Sequence, residues 1–397
     1  MAELADFGAV VALVAAAFGL AVLSHKLTEW VPVPAPGIFL LAAAGAEALF
    51  SRLGRHLSIR GVERVAVVAL IVVLFDGGMR IGWRRFRGSI VPIAALGVLG
   101  TFATAALMAV AARIVLGFGW TSAGILGAAL APTDPAVMFS VLGKRQIGGR
   151  MGTILEGESG ANDPVGIALM IGMLEFAKHS DATFWTVVRE FSVQMAVGLA
   201  IGVVGALVLL PLLRRITLPQ PALYPLRTLA AAGVVYGVAS VAHGSGFLAV
   251  FVAGILVGDA EVPHKQDIVR FSTSLASLAE IVVFVALGLT VHFAHLGTGH
   301  LWLDGLALAA ILALVARPLV VAALLLRTRI APGQRLFVMW GGLKGAVPIL
   351  LAAFALLEHA HGATRIYGIV FVVVAFSVLV QGATIPFAAR RFGVPVR

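Results

Sequence analysis

The sequence predicts an all-α polytopic membrane protein, a single membrane domain with about 13 transmembrane helices. Composition is the first observation behind this prediction. Hydrophobic residues make up 60% of the 397 residues and charged residues only 12%, and the mean hydropathy is +1.03. A soluble protein with this balance would lack a polar surface. Length is the second observation, because one helical span needs about 20 apolar residues and the chain has room for about a dozen.

Apolar runs place thirteen candidate spans along the chain. They cover approximately residues 7–24, 34–50, 62–77, 89–112, 118–141, 151–177, 184–212, 226–242, 245–259, 273–292, 301–326, 335–357 and 365–388. If the spans alternate across the bilayer, Lys and Arg are concentrated in the loops of one side. This asymmetry predicts a cell-membrane protein with its N-terminus outside and its C-terminus in the cytoplasm. One outer loop region departs from the pattern and holds Arg52, Arg55, Arg60 and Arg64.

Charge and cysteine content exclude several classes of function. The net charge is +10, but the basic residues are scattered between apolar segments, which favours lipid headgroups over nucleic acid as their partners. The chain has no cysteine, so disulfides, thiolate catalysis and cysteine metal sites are excluded. We expect no cleavable signal peptide, because Glu3 and Asp6 precede the first apolar run in place of basic residues.

Thirteen spans fit two inverted six-helix repeats joined by one linker span. The first repeat covers about 7–177, the linker about 184–212 and the second repeat about 226–388. Such repeats are a common plan of secondary transporters. Spans five and twelve should then correspond, and both contain helix breakers, Ala131 to Pro135 in one and Gly341 to Pro348 in the other. The pattern predicts two crossed discontinuous helices, and ordinary proline kinks are the alternative.

Charged residues at these interruptions and in span six are the candidate functional residues. Asp134 and Lys344 are placed to neutralise opposite ends of the helix dipoles. Span six carries Glu158 and Asp163 within a stretch of six residues, in a long apolar run with few other charges. Because ionisable side chains are expensive inside a membrane, two carboxylates there indicate ion handling. Glu158 and Asn162 share a helix face, whereas Asp163 is turned about 140° from Glu158, so the two acids are expected to have different roles.

Several motifs resemble those of one transporter family, the NhaP-type monovalent cation:proton antiporters, which are relatives of the eukaryotic sodium/proton exchangers. The resemblance covers nearly the whole chain. Its motifs are Thr133-Asp134-Pro135, Glu158 to Pro164, His243 to Gly254, Ala316-Arg317-Pro318 and Gly342 to Pro348. Leu74 to Gly78 and Val380 to Pro386 are similar to the potassium/proton antiporter branch in particular. Members of that branch often carry a cytosolic regulatory domain, and since the chain stops at Arg397 we expect none here.

The resemblance implies an ion-binding role for Asn162 and Asp163. In the family, a single carboxylate at the Asp163 position exchanges a proton for a monovalent cation, and an Asn-Asp pair accompanies electroneutral exchange. Hard oxygen ligands suit alkali cations. A carboxylate with a solution pKa near 4 would rarely be protonated at pH 7, so coupling requires an environment that permits protonation. The implied substrates are sodium or potassium and a proton.

The resemblance also assigns a scaffold pair, and oxygen atoms at and near the predicted break of span five provide further candidate ligands. It implies an ion pair between Glu158 and Arg317, which we expect to stabilise the bundle. Thr133, Ser159 and Asp134 are candidate cation ligands beside Asp163, and for Asp134 a helix-capping role is an equal alternative. Lys344 departs from the arginine of many relatives and loses the planar fork that a bidentate contact needs.

Other polar residues are weaker candidates. A metal site is disfavoured at His292, His295 and His300, because they lack cysteine or carboxylate partners at metal-ligand spacing. The basic cluster around Trp83 is typical of an interfacial anchor and contains Arg80, Arg84, Arg85 and Arg87. Further acids within or beside spans are Glu47, Asp76, Glu156 and Glu280. The sequence therefore predicts a secondary antiporter without cofactor or enzymatic activity, working by alternating access as a homodimer. The alternative is a passive cation channel. An intramembrane aspartyl protease is disfavoured because its Gly-x-Gly-Asp signature is absent.

Overall fold

The structure is a computed structural model that describes residues 19, 22–23, 34–49, 58–142, 147, 149–179, 183–291, 300–326, 328 and 330–394. The predicted first span at 7–24 lies almost entirely outside the described residues. The same holds for Arg52, Arg55, His292 and His295.

Regular secondary structure within the described residues is helical, as predicted. The helices are α1 (Ala35–Leu49), α2 (Ile59–Arg87), α3 (Ile90–Leu116), α4 (Trp120–Leu130), α5 (Pro135–Leu142), α6 (Gly149–Lys178), α7 (Phe184–Arg215), α8 (Leu223–Val241), α9 (Gly246–Gly258), α10 (Lys265–Leu289), α11 (Leu301–Leu325), α12 (Pro332–Trp340), α13 (Ala346–Leu357) and α14 (Ala363–Arg391). Each predicted span from the second onward coincides with one helix or, for spans five and twelve, with two. Among the described residues, seven helices are long and apolar enough to cross a membrane, with α4 and α5 taken together.

Two spans are interrupted where proline and glycine predicted it. The first interruption, residues 131–134, separates α4 from α5, and the second, residues 341–345, separates α12 from α13. Pro135 starts α5 at a position where its missing N–H is harmless. The consequence is four helix ends in the middle of the protein, whose backbone groups need partners that the lipid cannot supply.

Three helices contain a π-helical turn that the sequence did not predict. The turns are Ala95–Gly100 in α3, Leu312–Ala316 in α11 and Ser377–Gly382 in α14. Two of them precede a proline, Pro318 and Pro386. Because a proline ring clashes with the carbonyl four residues earlier, a widened turn lets these helices continue past the proline without a break.

Small residues bring α2 and α9 close together. A Cβ atom on Gly254 would lie 2.6 Å from the backbone oxygen of Phe75, and a Cβ atom on Gly78 would lie 2.5 Å from that of Phe251. Glycine is therefore required for this approach, as is common where membrane helices pack. The contact fixes α2 beside α9, and residues of α2, α9 and α10 line the cavity that reaches α6.

Candidate functional site

The two interruptions lie directly against each other. The backbone N–H of Asp134 donates to the carbonyl oxygen of Leu343 at 2.8 Å. In the opposite direction, the Nζ atom of Lys344 donates to the carbonyl oxygens of Ala131 at 2.9 Å and Pro132 at 2.8 Å. The ammonium group of Lys344 thus lies at the C-terminal end of α4, where the helix dipole is negative and carbonyls lack helical partners.

Asp134 lies at the N-terminal ends of two half-helices. Its carboxylate accepts a hydrogen bond from the backbone N–H of Ala136 at 2.9 Å, and the N–H groups of Val137 and Ala346 also interact with it. These three groups belong to the first turns of α5 and α13. The geometry favours the capping alternative for Asp134, because a carboxylate stabilises the positive end of a helix dipole. Gly345 is required here, since a Cβ atom on it would overlap the Asp134 side chain.

Asn162 connects α6 to the first interruption. Its Nδ2 atom donates to Thr133 Oγ1 at 2.7 Å, and its Oδ1 atom accepts from the Thr133 backbone N–H at 3.3 Å. Both residues are buried. The paired contacts fix the orientation of the Asn162 amide. They also hold the backbone segment before Asp134 against α6, the helix that carries Asp163.

Asp163 is buried in α6 and reaches a cavity of about 280 Å³. Its Oδ1 atom is enclosed and accepts no hydrogen bond from the residues that the structure describes. A buried carboxylate oxygen without a donor is costly, and a proton or a cation bound to it removes that cost. Ser159 and Asp134 also line the cavity, whereas Thr133 and Asn162 are not among its lining residues.

The cavity extends from Asp163 to residues near the end of α2. Arg80 lies on its wall with a side chain that is 47% exposed, and the Nε atom of Arg80 lies 3.0 Å from Oδ2 of Asp76. Thr273 on α10 donates to the other oxygen of Asp76 at 3.0 Å. The remaining acids on the wall are Glu156 and Glu280. Three of the four acids that the sequence ranked below Asp163 therefore share its cavity. Their only sequence signal was a charge within an apolar run.

Glu158 and Arg317 form a buried ion pair away from the cavity. Arg317 Nη1 lies 2.5 Å from Glu158 Oε1, and Nη2 lies 3.0 Å from Oε2, which is a bidentate contact. Arg317 Nη2 also donates to the carbonyl oxygen of Val338 at 3.3 Å. The pair joins α6, α11 and α12, and neither residue lines the cavity. In the part of the chain that the structure describes, no group of three or more metal-ligating side chains is present.

Comparisons with known proteins identify similar membrane proteins. The sequence model of the family described as "Sodium/hydrogen exchanger, transmembrane" matches residues 10–391. The K(+)/H(+) antiporter NhaP of Alkalimonas amylolytica is 38% identical over 328 residues, which are 82% of this chain and 57% of that protein. The Na(+)/H(+) antiporter ApNhaP of Aphanothece halophytica is 25% identical over 84% of this chain and 65% of its own length. The chain thus spans less than two thirds of these relatives.

A solved structure shows the same fold. The sodium proton antiporter MjNhaP1 of Methanocaldococcus jannaschii superposes with a TM-score of 0.80 at 21% identity, covering 94% of this chain and 98% of that chain. The resemblance expected from the motifs is confirmed, and the family comprises membrane transporters, not enzymes. By its family match and its apolar helices, this chain is a membrane protein that belongs to the transmembrane sodium/hydrogen exchanger family.

Proposed function

We propose that this chain exchanges a monovalent cation, sodium or potassium, for a proton across the cell membrane, and that the two ions compete for Asp163. The observation that carries the proposal is that Asp163 lines the cavity and that its enclosed Oδ1 atom accepts no hydrogen bond from the described residues. The names of the relatives support the ion classes, since one is a K(+)/H(+) and another a Na(+)/H(+) antiporter.

Competition at one carboxylate makes the exchange electroneutral. The Asp163 side chain carries either one proton or one monovalent cation through the membrane, so each cycle moves one charge in each direction. Carboxylate and hydroxyl oxygens suit alkali cations, and Ser159 is the hydroxyl that shares the cavity wall with Asp163. Thr133 does not line the cavity and is bonded to Asn162. It would therefore contact a bound cation only if the cation moved beyond the cavity lining.

Asp134 and Lys344 have a supporting role in this proposal. Each already contacts backbone groups of the interruptions, and together they compensate three of the four helix ends that the interruptions create, the C-terminal end of α4 and the N-terminal ends of α5 and α13. These contacts fix the polar groups around the interruptions and leave the Oδ1 atom of Asp163 without a fixed partner. Asp134 lies on the same wall, so its negative charge also favours a cation in the cavity.

The architecture we propose is two inverted six-helix repeats linked by α7. In alternating access, a bundle of α3 to α6 and α11 to α13 moves against a more rigid scaffold that forms a homodimer. The buried Glu158–Arg317 pair joins three helices of this bundle. The cavity extends toward the basic end of α2, which the charge asymmetry assigns to the cytoplasm. The described conformation is then open toward the cytoplasm.

Coupled flux in liposomes tests the proposed function. Purified protein is reconstituted with a pH-sensitive dye inside the vesicles, and sodium or potassium is added outside. An exchanger should move protons outward in a saturable way without a change in membrane potential. A channel should instead pass cations down a voltage and leave the internal pH unchanged unless a proton ionophore is present. Absence of cation-dependent proton movement for both ions rejects the proposal.

A further inference from the structure

The motif from Val380 to Pro386 has no role in the site described so far, yet its side chains reach the second interruption. It lies at the π-helical turn Ser377–Gly382 of α14. Such turns are rare within helices and occur frequently at functional sites. The two polar side chains of this turn, Ser377 and Gln381, are only 2% and 4% exposed, so each requires a buried hydrogen-bond partner.

The partners of Ser377 and Gln381 are the two ends of the second interruption. The backbone N–H of Lys344 donates to Ser377 Oγ at 2.8 Å, and Ser377 Oγ donates onward to Gln381 Oε1 at 3.1 Å. The Nε2 atom of Gln381 then donates to the carbonyl oxygen of Trp340 at 3.1 Å. These bonds form one directional chain from a free backbone donor at residue 344 to a free backbone acceptor at residue 340.

A second set of bonds fixes the same helix end on α14. The indole Nε1 of Trp340 donates to Thr384 Oγ1 at 2.9 Å, and Thr384 Oγ1 donates to the carbonyl oxygen of Gln381 at 2.7 Å. The C-terminal end of α12 is therefore held on α14 through both its backbone and a side chain. Because the bilayer core contains no water, these hydrogen bonds could not be replaced by bonds to solvent.

The anchored segment positions a charge at the ion site. The backbone N–H of Lys344 is bound to α14, while its Nζ atom, at the far end of the side chain, holds the carbonyls of Ala131 and Pro132 just before Thr133 and Asp134. A path of hydrogen bonds thus runs from α14 through Lys344 to the first interruption and on to Asn162. If the anchor is lost, the Lys344 ammonium and the first interruption lose their fixed place beside Asp163.

We propose that Ser377 and Gln381 are positioning residues for cation binding: the π-helical turn of α14 holds the second interruption in the binding-competent arrangement. The inference rests on the exchange function proposed above. Without the anchor, the competent arrangement is a smaller fraction of the folded protein, and the apparent affinity falls by that fraction. The maximal rate is affected less, because a bound cation restores the arrangement.

The test compares Ser377→Ala, Gln381→Leu and the double variant with Thr228→Val. The control removes a hydroxyl that is equally buried but bonded within α8, to the carbonyl oxygen of Tyr224. Two quantities are measured on folded, purified protein: amide hydrogen exchange of the segment 341–345, and the apparent KM for the cation in liposomes. We expect faster amide exchange in this segment and a KM raised about fivefold to tenfold, from leaving one buried backbone group unpaired. The double variant should cost less than the product of the single effects, since the residues form one chain.

Each outcome decides a separate claim. Unchanged amide exchange in 341–345 overturns the anchor itself. Faster amide exchange with a wild-type KM shows that the anchor is only structural and overturns the positioning role. A KM raised equally in Thr228→Val also overturns it, because any buried hydroxyl would then matter. If the wild-type protein does not exchange ions at all, the proposed function fails. Amide hydrogen exchange in 341–345 then still shows whether Ser377 and Gln381 anchor this segment.

Discussion

At the scale of single residues, two carboxylates of the same helix, Glu158 and Asp163, have different surroundings. Glu158 has both oxygens bound to the Arg317 guanidinium, whereas Asp163 presents an enclosed oxygen to the cavity. Their different orientation on α6 follows from the helical angle between them, and the sequence alone predicted it. Because Glu158 is already neutralised by arginine, we propose Asp163 as the carboxylate that exchanges the two ions.

Replacing the Asp163 carboxylate should abolish exchange without unfolding the protein. Asp163→Asn keeps the size of the side chain but can bind neither a proton nor a cation in exchange for the other. We expect dye signals in liposomes at the level of protein-free vesicles, with a normal elution profile and melting temperature. Glu261→Gln, at an exposed acid, is the matched control and should retain full exchange. Retained exchange in Asp163→Asn would reject the site.

Breaking the Glu158–Arg317 pair should lower stability. Both side chains are buried, at 2% and 6% exposed, and leaving one partner alone costs about 3–5 kcal/mol. Glu158→Ala and Arg317→Ala should each lower the yield and the melting temperature, and the double variant should lose less than the sum. The exposed pair Lys178–Glu358 is the control, because Lys178→Ala should change stability by less than about 1 kcal/mol. Normal stability with lost exchange would instead place Glu158 in the ion path.

At the scale of helices, the positions of the interruptions were predictable from the sequence. The hydrogen-bond partners of the backbone groups that they free were not. Proline, paired glycines and single charges identify both breaks in the sequence. The partners of the freed backbone groups come from distant helices, as with Ser377 and Gln381 on α14. A hydrogen bond between residues far apart leaves no local pattern. Two of the π-helical turns had a weak sequence signal, because Pro318 and Pro386 follow them. From the sequence alone these residues could not be distinguished from ordinary helix prolines.

A side chain at Gly345 should disrupt the contact of the two interruptions. The Cβ atom of Gly345→Ala would overlap the Asp134 carboxylate that caps α5 and α13. Because the overlapped Asp134 side chain is held in place by backbone N–H groups of both half-helices, we expect a melting temperature several degrees lower and strongly reduced exchange. Gly233→Ala in α8 meets nothing within 4 Å and should behave like the wild type. Equal behaviour of the two variants would contradict the described packing of the interruptions.

At the scale of the whole molecule, contacts sort the helix ends into two faces. Lys178 at the end of α6 pairs with Glu358 after α13, and Ser122 at the start of α4 donates to the carbonyl oxygen of His361. On the other face, Asp259 after α9 accepts from the backbone N–H of Arg84 near the end of α2. This grouping agrees with the alternation of the predicted spans. The sequence predicted it from hydropathy and basic residues, although the first predicted span lies outside the described residues.

Cysteine labelling tests which face is cytoplasmic. The chain contains no cysteine, so one introduced residue gives an unambiguous signal. His361→Cys and Arg391→Cys replace exposed residues that the predicted spans place on opposite sides. In intact cells, a membrane-impermeant maleimide should label His361→Cys and leave Arg391→Cys unlabelled until the cells are permeabilised. The reverse pattern would invert the proposed orientation, including the direction in which the cavity opens.

Competition between the proton and the cation at one carboxylate is the central claim, and the pH dependence of the apparent KM tests it most directly. Initial rates are measured in liposomes over a range of cation concentrations and pH values. Because a protonated Asp163 cannot bind the cation, KM should rise about tenfold for each unit of pH below the protonation midpoint of the site, while the maximal rate stays constant. A KM that does not change with pH, combined with a maximal rate that does, would mean that the two ions bind separately and would contradict this account.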